Sequence, residues 1–202
     1  MSESYNEHLP APTHVNRIAD SILNDFNRIT RRPEDPAKSF ICYYDLERIW
    51  TEERVRGLLS PRNPRDLPND LLLVVRQKMF TILSILVTIG AFACRIDFLA
   101  RLFTSGRPRF TDDCLPLELQ EIDFLYGWQP FKEQFSHVQH KFCPVKIQQR
   151  HEEIDPSWRL PFETIIPSLG SGAFGDVELI GIPGGYFVNE DGSEFSKVSI
   201  QQ

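Results

Sequence analysis

The segment best equipped for chemistry in this 202-residue chain is Leu169-Gly170-Ser171-Gly172-Ala173-Phe174-Gly175-Asp176-Val177. Its G-x-G-x-x-G spacing bares the main chain at three points, so that phosphate oxygens can approach backbone N–H groups a Cβ would shield. Two architectures use such a pattern. In a dinucleotide site a helix opens at the third glycine; in a phosphate-covering hairpin, strands flank the glycines on both sides. Here Gly175 is followed by Val177, Leu179 and Gly181, then by Pro183-Gly184-Gly185. That is alternation with a period of two followed by a turn, which predicts a strand rather than a helix. Gly170, Gly172 and Gly175 are therefore expected at a hairpin tip, with Phe174 covering it. A glycine-rich hairpin in an unrelated fold would share some of these residues, and that alternative stays open.

Other clusters carry less. His137-x-x-His140-x-x-Cys143 has metal-ligand residue types, but on a helix Cys143 points away from the two histidines and no fourth ligand lies near in sequence. Asp112-Asp113 and Glu152-Glu153 read as solvated loop charges. Nothing fixes a Ser-His-Asp or Cys-His relation. No catalytic residue and no metal ligand is assigned.

Positioning the glycines requires the rest of the chain. An apolar stripe at helical spacing, Val15, Ile18, Ile22, Phe26 and Ile29, predicts a helix over 14–30 capped by Thr13, broken by Arg31-Arg32-Pro33-Glu34-Asp35-Pro36. A second helix is expected from Thr51, with Glu52 and Glu53 in its first turn and Val55, Leu58 and Leu59 buried, ending at Ser60-Pro61. The longest should run from Asn69 to Ile89 and stop at Gly90. Others are expected over 92–104 and from Trp128-Gln129-Pro130, the latter burying Phe131, Phe135 and Val138. Pro144-Val145-Lys146-Ile147 reads as a short strand, and Gln148–Asp155 as a polar connector. The fold class is α+β: a loose tail over 1–13, a mostly helical region over 14–160, and a strand-rich segment over 161–202.

Charge supports that division. The chain carries a net −6, yet residues 161–202 hold six acids and one base (−5), leaving the first 160 close to neutral. The balance gives no electrostatic footprint for nucleic acid. Met79 to Cys94 is uncharged but bounded by Lys78 and Arg95, short of the roughly 20 residues a membrane span needs, so a buried helix is preferred and a span is the minor alternative. There is no apolar leader at the N-terminus, and Cys42, Cys94, Cys114 and Cys143 form no C-x-x-C pair. An intracellular, cytoplasmic protein with reduced thiols is the economical reading.

With Leu169, Gly170, Gly172, Phe174, Gly175 and Val177 in this order, residues 165–182 resemble the first two strands and glycine-rich loop of a eukaryotic-type protein kinase. The preceding region resembles the helical amino-terminal extension of fungal protein-kinase-like proteins, through Arg76-Gln77-Lys78-Met79-Phe80, Phe142-Cys143-Pro144-Val145 and Arg159-Leu160-Pro161-Phe162. The resemblance implies ATP as ligand, with magnesium in a complete chain. It makes Leu169, Gly170, Ser171, Gly172, Ala173, Phe174, Gly175 and Val177 the nucleotide-binding residues, Leu169 and Val177 flanking the adenine. Val198-Ser199-Ile200-Gln201 would be the third strand, with Gln201 where a kinase carries its phosphate-holding lysine. Lys197 is the nearest other cation and is read as lying on the opposite face. No H-R-D or D-F-G motif occurs in these 202 residues, so the chain is expected to be an incomplete kinase. The alternative is a non-catalytic helical interaction module, its partner unknown, carrying a kinase remnant.

Overall fold

The computed structural model describes residues 13–32, 35–59, 69–91, 111–122, 129–148, 153–156, 158–172, 175–189, 193 and 197–201. The chain is α+β and mostly helical. It divides into two compact units: Met1–Arg28 with Tyr43–Gln139, and Ile29–Cys42 with His140–Gln202. The helix expected over 92–104 lies outside the described residues.

The first unit is helical. Helix α1 (Thr13–Ile29) buries Val15, Ile22 and Phe26 along the expected stripe, with Ile18 half-buried. Helix α2 (Tyr43–Ile49), which the sequence did not predict, is short; it begins at Tyr43, 37% exposed, and buries Leu46 and Ile49. Helix α3 (Glu52–Leu59) follows at once, its first turn capped by Thr51, whose Oγ1 accepts from the Arg54 N–H at 3.4 Å. Arg54 then fastens α3 to its neighbours. Its guanidinium donates to the Ile49 carbonyl (3.0 Å), to Ser21 Oγ (3.0 Å) and to Asp25 Oδ2 (2.6 Å). A Cβ on Gly57 would overlap Ile18 Cδ1, so the missing side chain lets α1 and α3 approach.

Trp50, between α2 and α3, is fully buried with its ring edge-on to Phe26 at 6.4 Å. A buried indole N–H needs an acceptor, and Ser84 Oγ supplies one at 2.9 Å while itself donating to the Phe80 carbonyl at 2.6 Å.

The run expected as one helix from Asn69 to Ile89 is two: α4 (Asn69–Lys78) and α5 (Phe80–Thr88). Met79 leaves helical geometry at φ −140° and ψ 16°. In an unbroken helix the Thr81 and Ile82 amides would bond to the Gln77 and Lys78 carbonyls. They donate instead to the two oxygens of Asp112, at 2.9 and 3.0 Å. A carboxylate inserted into the ladder is a sufficient cause of such a break. Asp112 is thus not a solvated loop charge, which corrects the expectation for that residue, while its neighbour Asp113 is exposed. It opens a 3-10 turn, Asp112–Cys114, and meets the amides that begin α5. Helix α5 buries every residue from Phe80 to Val87, as the preferred reading of that apolar run required, and Gly90 ends it in the left-handed region at φ 71°. Among the described residues no helix is long and apolar enough to cross a membrane.

Helix α6 (Gln129–Phe142) starts as expected at Gln129-Pro130 and buries Phe135, with Phe131 and Val138 half-buried. Gln139 is also buried. Its amide reads both polar groups of Leu117, accepting from the N–H and donating to the carbonyl at 2.8 Å each.

The second unit carries the strands. β1 (Ile147–Gln148) begins later than the expected Pro144–Ile147 strand and pairs in parallel with β4 (Phe187–Val188). β2 (Glu163–Gly172), β3 (Gly175–Pro183) and β5 (Lys197–Gln201) form an antiparallel sheet in that order. The core is Phe40, Cys42, Ile182 and Tyr186, with Ile147, Phe162 and Phe187 packed against it.

Burial raises the Asp112 carboxyl above the ordinary carboxylate range, and the two amide hydrogen bonds oppose that shift without cancelling it. The Tyr43 phenol is raised as well, by burial first and then by Asp112, Glu47 and Asp113. A raised folded value means that the native state holds the Asp112 proton more tightly than the unfolded chain does. The resulting stability is complete below the ordinary carboxylate value and is lost as pH rises through the raised one. In a denaturant series across that window, the stability advantage over Asp112→Asn is expected to shrink as pH rises. Asp112→Ala, which leaves two amides without their acceptor, should cost about 1–3 kcal/mol at the low-pH end of the series, and that cost should shrink with rising pH as it does for Asp112→Asn.

Candidate functional site

The three glycines converge because β2 and β3 form a tight hairpin. Gly172 stands opposite Gly175, Ser171 opposite Asp176 and Gly170 opposite Val177. Only Ala173 and Phe174 connect the strands, and both lie outside the described residues. Two-residue connections suit adjacent antiparallel strands, whose twist they match.

Towards its base the hairpin is irregular. From Thr164↔Ile180 to Ile166↔Leu179, β2 advances two residues while β3 advances one; from Ile166 to Gly170, β2 advances four while β3 advances two. Pro167 lies in the second irregular stretch and has no N–H to give a ladder, which confines it to such positions. Leu169 lies in the same stretch, between the registered positions Ile166 and Gly170.

β5 then runs back along β3 with unbroken register, from Pro183↔Lys197 through Gly181↔Ser199 to Leu179↔Gln201. Paired positions in antiparallel strands share a face. Val177, Leu179, Gly181, Ser199 and Gln201 therefore occupy one face of the sheet, and Ile180, Ile182, Val198 and Ile200 the other. Lys197 requires a correction. It belongs to the face of Ser199 and Gln201, because residues two apart on an unbulged strand cannot lie on opposite faces. Its distance from the glycines is the stronger limit: it stands opposite Pro183, eight positions along β3 from Gly175, about 26 Å.

The glycines differ in what the chain asks of them. Gly185 is the third residue of the turn Pro183-Gly184-Gly185-Tyr186, closed by Tyr186 N–H to the Pro183 carbonyl at 3.3 Å, and it sits at φ 82°. A type II turn demands that left-handed residue, and a side chain there is strained. Gly170 is exposed, lies outside the left-handed region, and among the described residues has no atom within 4 Å of where a Cβ would be. Neither its backbone conformation nor packing against those residues calls for glycine. Close approach of a ligand to the backbone is one demand that a glycine in such a place would meet.

Among the described residues no group of three or more His, Cys, Asp or Glu side chains is placed to hold a metal ion. His137 is exposed and His140 half-buried on α6, while Cys143 lies just beyond its end. The signal missed at the sequence level was the contribution of residues 29–42, which carry Phe40 and Cys42 into the core beside the hairpin base. No periodicity advertises that pairing.

The contrast between the glycines is measurable in chemical denaturation. Gly170→Ala should leave stability within about 0.5 kcal/mol of the parent. Gly185→Ala, forced to φ > 0, should cost about 1 kcal/mol or more. Compared with family models, with curated proteins and with solved structures, the chain finds no match in any of the three.

Proposed function

We propose that the glycine-rich hairpin binds the phosphates of a nucleotide, ATP by resemblance, and that the chain is the amino-terminal part of a protein kinase domain-containing protein. Three features support this reading: the antiparallel order β2-β3-β5, the gathering of Gly170, Gly172 and Gly175 around a two-residue connection, and above all a Gly170 that neither its own backbone conformation nor any described neighbour requires. In this reading the backbone amides from Gly170 to Gly175 receive the phosphates and Phe174 closes over them. Leu169 and Val177 flank the adenine. Gln201 takes the position of the phosphate-holding lysine and contributes a hydrogen-bond donor without a charge. Magnesium, when bound with the nucleotide, would neutralise phosphate charge beside an acidic segment. Phosphoryl transfer to protein Ser/Thr belongs to a complete chain with its own catalytic base and metal ligands.

The missing charge at Gln201 favours a second reading, in which the helical unit binds a protein partner and the hairpin is a remnant that binds no nucleotide. A thermal-shift titration with Mg-ATP separates the two. Binding at 100 times its dissociation constant stabilises a fold by about 2.7 kcal/mol, a shift of several degrees. The proposed function predicts that shift in the parent chain and its loss in Gly170→Val, which places a branched side chain where the backbone must stay bare. Absence of any shift in a folded parent chain selects the second reading.

A further inference from the structure

The two ends of the hairpin differ in what holds them. The glycine end is closed by the two-residue connection. The base, where Glu163 stands opposite Gly181, is gripped by residues from more than a hundred positions earlier in the chain. Arg31 Nη1 lies 3.4 Å from Glu163 Oε1, on the first residue of β2. Phe40 and Cys42, both fully buried, pack with Ile182 of β3 and with Phe162, which immediately precedes β2. These grips form one piece, because Arg31 and Phe40 exchange both backbone hydrogen bonds, at 2.8 and 3.3 Å, and the Ile41 N–H donates to the Lys141 carbonyl at 2.9 Å.

The base needs such a grip. A strand that ends in Gly170, Ser171 and Gly172, like β2, has few side chains there to specify its pairing, and a slip of one residue moves every side chain to the other face. We infer that Arg31 and Phe40–Cys42 form a brace that sets the register of the glycine-rich hairpin from its base, so that binding at the glycine end depends on residues that cannot touch the ligand. Gly181 and Gly175 are six residues apart on β3, about 20 Å. Phe40 and Arg31 are positioning residues. The ligand part of the inference rests on the proposed nucleotide reading; the register part does not.

The test uses the full chain and two readouts. Hydrogen exchange is followed at the amides of residues 180–182 and, as an internal reference, at Leu83 and Ile85 of α5, alongside Mg-ATP titration of the same samples. Phe40→Ala should speed exchange at 180–182 by at least about tenfold while α5 keeps its protection, since opening is local to the packed group. Phe40→Leu should give a smaller change in the same direction, and Arg31→Gln a change confined to the start of β2 and its partners. The apparent dissociation constant for Mg-ATP should rise in the order Phe40→Leu, then Phe40→Ala. Unchanged protection at 180–182, or equal loss there and in α5 for both Phe40 variants, would overturn the brace. So would a parent chain that binds Mg-ATP and a Phe40→Ala variant that binds it equally well. If the parent binds no Mg-ATP while Phe40→Ala still loses protection at 180–182, the nucleotide reading fails and the brace stands.

Discussion

A β-hairpin isolated in water is marginal at best, because it exposes unpaired edges and an apolar face without enough buried surface to offset the ordering of its chain. Among the described residues, the second unit meets that constraint at the hairpin base. Ile182 and Tyr186, at the end of β3 and in the turn that follows, are buried against Phe40 and Cys42, with Ile147, Phe162 and Phe187 around them. The turn depends on Gly185 at φ 82°, and it delivers Tyr186 to the core and Phe187 to its pairing with Ile147. The glycines themselves add almost no apolar area, and what is shown to hold them is the pairing of β2 with β3.

The first unit is organised by a different demand, that buried polar groups find partners. Three side chains answer it across long sequence separations: Asp112 for the amides at the start of α5, Gln139 for both polar groups of Leu117, and Ser84 for the Trp50 indole. Each ties together groups more than twenty positions apart in the chain. The apolar contacts supply most of the stabilisation, and these polar contacts spare it the cost of burying unpaired groups.

Periodicity located most elements. The stripe from Val15 to Phe26, the start of α3 beside Thr51, the stop at Gly90 and the start of α6 at Gln129-Pro130 are local signals, written within a turn or two of the residues they govern. The strands on either side of the glycines were legible for the same reason, since alternation and turn chemistry are properties of neighbours. Helix α2 escaped notice because seven residues hold too few turns to show a period. The break at Met79 escaped because its cause lies 33 positions away, and the apolar pattern from Leu71 to Ile89 gave no hint of it.

By itself, then, the sequence determined the helical character of the first unit, the hairpin with its three glycines, and the uneven charge that sets residues 161–202 apart. Tertiary structure decided what holds those pieces in place. It turned Asp112 from a loop charge into the partner of a buried helix start and set residues 29–42 beside the hairpin base. The physical reason is common to both. Local propensity acts over a few residues, whereas burial and hydrogen-bond satisfaction are settled between groups that only the folded chain brings together.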